Sequence, residues 1–238
     1  MPLKSATTLA ARLINRLPQS SQAALFMVIA CAVFAAMSGL IRHISANVPP
    51  LEIVFFRNLF GLLALAPWFL RNGMAGLKTT RLGLYGLRAL VGMVSMALWF
   101  TAVTIVPLAE ATALSFTAPL FGTVLAVLLL GEVVRVRRWS ATLAGFAGAM
   151  IILRPTVETI EPGTIMVLIS AATMATAGIF VKKLMATDTP AQSVAWMGIM
   201  MVPMSLVPAL FVWQWPSLQS LLWLGLLGGV ATIGHLAI

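Results

Sequence analysis

The sequence has very few side chains of the kinds that build metal or acid–base sites. Among its 238 residues are six Asp and Glu, of which Asp188 is the one aspartate. It has two histidines, His43 and His235, and one cysteine, Cys31. A zinc site normally takes three or four His, Cys or carboxylate ligands, and a catalytic aspartate pair needs a second Asp. We therefore predict no metal, no cofactor and no internal disulfide.

Charge of either sign is also scarce. Only 9% of the residues are charged and 61% are hydrophobic, whereas an average soluble domain is about 25% charged. Such a chain cannot cover a soluble surface with polar groups, so the composition predicts an integral membrane protein. The net charge of +9 does not indicate a nucleic-acid partner, because the basic residues lie in short segments between apolar runs.

Long apolar runs account for most of the chain. About 20 apolar residues in a helix span a bilayer core of roughly 30 Å, and continuous rather than alternating apolarity favours helices over barrel strands. The connections are short, so consecutive helices run antiparallel. We predict an all-α multi-pass membrane protein with eight runs, at 22–41, 51–70, 82–104, 108–130, 139–154, 163–181, 190–213 and 220–238.

The basic residues of the connections indicate an orientation. Eleven Lys and Arg lie in the N-terminal segment and in the second, fourth and sixth connections, whereas two, Arg42 and Arg154, lie in the alternate connections. Cytoplasmic loops carry the excess of Lys and Arg. This pattern predicts a protein of the cell inner membrane with its N-terminus in the cytoplasm.

The chain matches itself weakly at an offset of 140 residues. The segment Ala46–Glu52 then aligns with Ala186–Gln192, and Arg42 aligns with Lys182. Because the first unit contains five helices, the second enters the membrane from the opposite side, which predicts an inverted repeat of the type found in secondary transporters. We expect a cytoplasmic segment at 1–21, a first repeat at 22–155 and a second repeat at 162–238.

Counterparts of the last two helices of the first repeat do not follow within the second. We therefore expect the chain to be most of a ten-helix protein of about 300 residues, of which about eight helices are present here.

Several motifs stand out along the chain, namely Pro50-Leu51-Glu52 followed by Arg57, Ala111, Ala113, Pro119, Gly131-Glu132, Gly145, Gly148, Arg154-Pro155 and Gly234-His235. Together they resemble the EamA domain of the drug/metabolite transporter superfamily. The resemblance implies ten helices in two inverted halves and alternating-access movement of metabolites, often amino acids or related compounds and often outward. It does not fix the substrate.

Arg88 is the first candidate for substrate binding. It lies about six residues into the third predicted helix, roughly 9 Å deep. An arginine at that depth costs on the order of 2.5 kcal/mol unless it reaches the headgroups or finds a partner. It either snorkels to the membrane surface or binds a substrate carboxylate or phosphate through two hydrogen bonds.

Other candidates for the cavity lie in the third and fourth predicted helices. Trp99 and Phe100 are either an apolar cavity wall or core packing. Pro119 removes a backbone hydrogen bond and kinks its helix, and the hydroxyls of Ser115 and Thr117 lie beside the kink. Those groups either line the substrate path or serve packing alone.

Four charged residues near the helix ends are gate candidates. Arg57 has a structural or gating role, with Glu52 as a possible helical partner. Glu110 lies near the outer face, and Glu132 lies at the inner end of the fourth helix, where a loop ion-pair network is the alternative.

Together these features predict a secondary transporter of small metabolites that works in the lipid bilayer by alternating access, with export or import left open. A membrane enzyme would need a cluster of nucleophile, base or metal ligands, and the sequence offers none. The remaining alternative is a non-transporting membrane scaffold, a partner subunit or an inactive fragment. Beyond the metabolite, a homodimer is left open as a partner, because small residues at 141, 145 and 149 permit close helix packing.

Overall fold

The computed structural model describes residues 19–73, 77–153 and 161–237, and this part of the chain is helical without a strand. The structure divides after Ser38 into two compact units, and the packing described below is that of the second, Gly39–Ile238. The helices are α1 (Gln19–Ile44), α2 (Pro50–Ala64), α3 (Ala66–Asn72), α4 (Leu82–Ile105), α5 (Leu108–Ser115), α6 (Ala118–Leu130), α7 (Val136–Leu153), α8 (Pro162–Leu184), α9 (Pro190–Leu210) and α10 (Leu218–Ala237).

Two pairs of these helices are continuous spans interrupted by a short break. The chain turns at Leu65 between α2 and α3, and at Phe116 and Thr117 between α5 and α6. Joined, the described residues form eight helical segments, as the apolar runs predict. Five are long and apolar enough to cross a membrane, namely Pro50–Arg71, Leu82–Ile105, Leu108–Leu130, Pro162–Leu184 and Pro190–Leu210. The all-helical multi-pass fold is thereby confirmed.

The longest helix–helix interface joins α4 and α8, which run antiparallel. At its centre the hydroxyl of Ser95 donates to the carbonyl of Ser170 at 2.9 Å, and the hydroxyl of Ser170 donates to the carbonyl of Ser95 at 2.9 Å. Small polar side chains of this kind let membrane helices approach closely and satisfy one another. At the end of the interface Gly163 lies so close to Val106 that an added Cβ would clash with the Val106 side chain.

A second close approach joins α2 to α10. A Cβ added at Gly228 would lie 2.8 Å from the Arg57 carbonyl oxygen and 2.9 Å from the Gly61 backbone nitrogen. The hydroxyl of Thr232 donates to the carbonyl of Gly61 at 3.1 Å. The two backbones are therefore in contact, and glycine is required by space rather than by backbone angle.

The side-chain contacts of the connections define the two ends of the bundle. Residues 77–81 contact residues 183–196, and Glu132 contacts Lys182. We call this end the basic face, because Lys78, Arg81, Lys182 and Lys183 lie there. At the other end, the opposite face, Arg42 contacts Val106, Glu110 contacts Thr164 and Glu52 contacts Gln214.

The two connections aligned by the offset of 140 residues have the same backbone geometry. After α1 the amides at 47 and 48 donate to the carbonyl of Ile44, and after α8 the amides at 187 and 188 donate to the carbonyl of Leu184. One connection lies at the opposite face and the other at the basic face. The same short motif thus occurs in both orientations relative to the membrane, as an inverted repeat requires.

Helix contacts repeat with the same offset. Gly61 of α2 contacts Thr232 of α10, and Met201 of α9 lies 3.9 Å from the position of a Cβ at Gly92 of α4. Adding 140 to 61 and 92 yields 201 and 232. The second helix of each repeat therefore packs on the third helix of the other repeat.

This arrangement predicts the labelling pattern of single cysteines placed in the connections of a C31S variant. Cysteines at Lys78 and Thr187 are expected to react with an impermeant maleimide from one side of the membrane, and a cysteine at Asn47 from the other. Labelling of positions 78 and 187 from different sides in sealed vesicles would contradict the fold.

The α2–α10 contact predicts the effect of a single methyl group. Gly228→Ala is expected to destabilise the protein by about 1–3 kcal/mol, because the methyl group meets backbone atoms that cannot move independently. Gly225→Ala on the same helix is the matched control, since an added Cβ there has no atom within 4 Å. Thermal unfolding in detergent measures both, and equal melting temperatures would show that α2 and α10 are not in backbone contact.

Candidate functional site

Buried polar side chains lie where α2, α4 and α9 pack together. The guanidinium of Arg57 donates through Nη1 to Asn58 Oδ1 at 2.9 Å, and Asn58 Nδ2 donates to the hydroxyl of Ser205 on α9 at 3.4 Å. All three side chains are buried. Polar groups inside a membrane span are costly unless they are satisfied, so this chain of hydrogen bonds holds a positive charge within the helix bundle.

Arg88 extends the positive charge from α4. Its side chain is partly exposed, and its Nε atom is buried without a hydrogen-bond partner among the described residues. The Arg88 charge also acts on Arg57, so the two guanidinium groups repel each other. Like charges repel strongly where water is scarce. An anionic group near Arg88 would both relieve this repulsion and fill the donor capacity of the guanidinium.

At the basic face, the carboxylate of Asp188 is the centre of a polar cluster. Its Oδ2 accepts from the hydroxyl of Thr79 at 2.9 Å and from the hydroxyl of Tyr85 at 2.8 Å. Burial alone would raise the pKa of Asp188, but the hydrogen bonds from Tyr85, Thr79 and Thr187 and the charge of Arg81 outweigh it and lower that pKa. Asp188 is therefore ionised at neutral pH.

Three further hydrogen bonds join the same two segments. Arg81 donates to the carbonyl of Lys183 at 3.0 Å. Gln192 donates to the carbonyl of Lys78 at 2.6 Å, and the indole of Trp196 donates to the carbonyl of Leu77 at 3.0 Å. Residues 77–81 are thus held against the end of α8 and the start of α9.

Contacts at the opposite face involve two of the gate candidates. The carboxylate of Glu52 accepts from the backbone amide of Gln214, while its Oε2 atom is buried without a hydrogen-bond partner among the described residues. Glu110 accepts from the hydroxyl of Thr164 at 3.2 Å. Neither contact is the Glu52–Arg57 pairing that the helix spacing suggested, since Arg57 donates to Asn58 instead.

The helix break predicted at Pro119 is confirmed, since α5 ends at Ser115 and α6 begins at Ala118. The hydroxyl of Ser115 donates back to the carbonyl of Thr112, and that of Thr117 donates to the carbonyl of Leu114 at 2.7 Å. Both hydroxyls therefore satisfy the backbone of their own helix at the break.

A cavity of about 350 Å³ lies between α6, α7 and α8 towards the basic face. Its mouth carries the ion pair of Glu132 with Lys182, a partner that the predicted network of Glu132 with loop arginines did not include. Its walls are mainly small or apolar, with the lining residues Pro119, Gly122, Thr123, Ala126, Leu130, Glu132, Thr142, Ala175, Gly178, Ile179 and Lys182.

The predicted binding residues consequently fall in three places. Arg88 lies near the basic face beside Tyr85, and Pro119 lines the cavity between α6 and α8. Trp99 and Phe100 are buried and lie eleven and twelve residues after Arg88 on α4, about 16–18 Å nearer the opposite face. The side chain of His235 lies outside the described residues.

Sequence reasoning missed two residues that the structure makes prominent. Asp188 and Tyr85 had no role, although a single aspartate and a single tyrosine in 238 residues are a signal worth following. Asp188 stands where the first repeat has Val48, and this departure from the repeat would have marked it.

An all-helical membrane bundle of two inverted repeats, with cationic side chains buried between them, defines a protein of the transporter class. The sequence model of the EamA-like transporter family matches residues 21–154, and the chain belongs to this family.

Named relatives agree with that assignment, and a solved structure has the same fold. The chain is 32% identical to a riboflavin transporter of Vibrio cholerae over 89% of its own length and 72% of the relative's. It is 30% identical to an S-adenosylmethionine uptake transporter of Rickettsia prowazekii over 79% of its own length and 64% of the relative's. A crystal structure at 21% identity superposes with a TM-score of 0.66 and covers 91% of the chain and 78% of that structure.

Proposed function

We propose that the protein is a secondary transporter that moves small metabolites across the cytoplasmic membrane by alternating access. Membership of the EamA-like family supports transport, as do relatives named for riboflavin and for S-adenosylmethionine uptake. The chain spans about two thirds to three quarters of the length of these relatives, so their activities are a guide to the class of cargo. Amino acids and related compounds with a carboxylate or phosphate fit the charge of the site.

The observation that carries the cargo class is the state of Arg88. It lies within a membrane span, its Nε atom is buried without a hydrogen-bond partner in the described part of the chain, and its charge repels Arg57. A charged hydrogen bond contributes about 1.5–3 kcal/mol. An anionic group of the substrate would supply such bonds to Arg88 and offset the repulsion. The bound state would thereby gain interactions that the empty site lacks.

Alternating access is supported by the reciprocal packing of the repeats. Because the second helix of each repeat packs on the third helix of the other, tilting one repeat against the other can open either end of the bundle. The excess of Lys and Arg at the basic face favours a cytoplasmic location for that face, and with it a cytoplasmic N-terminus.

The remaining predicted residues take roles in keeping with their positions. Trp99 and Phe100 would form the apolar wall nearer the opposite face. The break at Ser115, Thr117 and Pro119 would let α5 and α6 bend separately. Four charged side chains would act at the gates, with Glu132 at the basic face and Glu52, Arg57 and Glu110 towards the opposite face.

The role of Arg88 predicts a specific loss of transport. Arg88→Gln is expected to weaken apparent substrate affinity about 10–100-fold, because one or two charged hydrogen bonds are lost. Arg88→Lys should retain part of the affinity, since it keeps the charge and loses the two-pronged geometry. The measurement is uptake of labelled glutamate, riboflavin and S-adenosylmethionine into proteoliposomes.

The matched control is Arg71→Gln, which removes an exposed arginine from α3 and should leave affinity unchanged. Unaltered flux in Arg88→Gln for every substrate carried would show that Arg88 does not bind the cargo. Absence of flux for the wild-type chain with all three probes, despite correct folding, would favour the non-transporting scaffold.

A further inference from the structure

The basic face carries a cross-repeat cluster that none of the roles above uses. It consists of Thr79, Tyr85 and Asp188, which we call the Asp188 cluster. The hydroxyls of Thr79 and Tyr85 belong to the first repeat, and the carboxylate that accepts from them belongs to the second. Any tilt that separates Thr79 and the start of α4 from Asp188 must break both hydrogen bonds.

The cluster lies directly beside the proposed anion site. Tyr85 precedes Arg88 by three residues on α4, so the two side chains lie on the same side of the helix. The electrostatic interaction between Tyr85 and Arg88 agrees with this proximity. Ser193, in the first turn of α9, is buried and lies beside Tyr85. The Asp188 cluster therefore lies between the basic face and Arg88 on this side of α4.

The two ends of the bundle differ at the position of this carboxylate. The counterpart of Asp188 in the first repeat is Val48, which is 2% exposed and packs at the opposite face. The carboxylate has a lowered pKa and stays charged at neutral pH. Water can replace its hydrogen bonds when the face opens, because a charged carboxylate at a membrane surface is readily hydrated. Exposing Val48 has no such compensation.

We propose that Asp188, held by Thr79 and Tyr85, is the gate that closes the path to Arg88 from the basic face. The proposal rests on the proposed transport function for its purpose, but the gate itself is a structural state that can be measured without substrate. Asp188 is a positioning residue, because it holds Tyr85 and Thr79 in place and does not contact the cargo.

The test measures the reactivity of a thiol behind the gate. Ser193→Cys is a nearly isosteric change at a buried position, and the background carries Cys31→Ser. An impermeant maleimide is applied to the basic face of vesicles containing the whole chain, without substrate. Adding Asp188→Ala is expected to raise the rate at which the introduced thiol is modified at least about tenfold, since two hydrogen bonds to a charged group are lost. Asp188→Asn, which keeps one acceptor oxygen, should raise it less.

Further variants separate gating from misfolding and from loss of transport. The double variant Thr79→Val with Tyr85→Phe keeps Asp188, removes both donors and should reproduce the faster modification at an unchanged melting temperature. Thr164→Val, which removes the donor to Glu110 at the opposite face, should leave the rate unchanged. Three proteins are compared: Ser193→Cys alone, Ser193→Cys with Asp188→Ala, and Ser193→Cys with the double variant. Equal modification rates in all three would overturn the gate, whatever the flux. Faster modification in the absence of any transport would uphold the gate and count against the proposed function alone.

Discussion

The reciprocal packing of the second helix of each repeat on the third helix of the other is the constraint on which the rest of the structure depends. At Gly61 and Gly228 this packing brings backbone against backbone, and at Gly92 it admits the side chain of Met201. In a membrane the hydrophobic effect does not drive helices together, so close contact and shape provide the association. Once α2 and α9 are fixed in this way, Arg57 must lie near Arg88 and the start of α9 must meet the connection after α3.

That packing also explains why polar groups can be buried at such depth. Hydrogen bonds link Arg57 to Asn58 on α2 and Asn58 to Ser205 on α9. A reciprocal pair of hydrogen bonds links Ser95 on α4 to Ser170 on α8. Arg88 differs, because its charge adds to that of Arg57 and its Nε atom has no partner in the described residues. Binding sites commonly hold groups that the protein alone does not satisfy, because the ligand then supplies the missing interaction.

The two faces of the bundle have different chemistry at equivalent positions of the two repeats. At the basic face, hydrogen bonds from Thr79 and Tyr85 converge on a charged carboxylate. At the opposite face, Val48 occupies the equivalent position and is buried. In the proposed alternating-access cycle, identical ends would favour neither open state, whereas a polar closure at one end and an apolar closure at the other would make the two open states unequal in free energy. Sequence divergence between the repeats can in this way set the resting state of a transporter.

Several features followed from the linear order of residues, because they depend on local chemistry. Apolar runs of about 20 residues fixed the number of helices, the break beside Pro119 followed from its missing amide hydrogen, and the motif of Pro50 and Pro190 revealed the repeat. The partners of individual side chains did not follow. Glu132 contacts Lys182, which is 50 positions away, Arg57 contacts its neighbour Asn58, and Asp188 contacts Tyr85, which is 103 positions away. Such pairings depend on the rotation and register of each helix against its neighbours, and these are set by packing across the whole bundle.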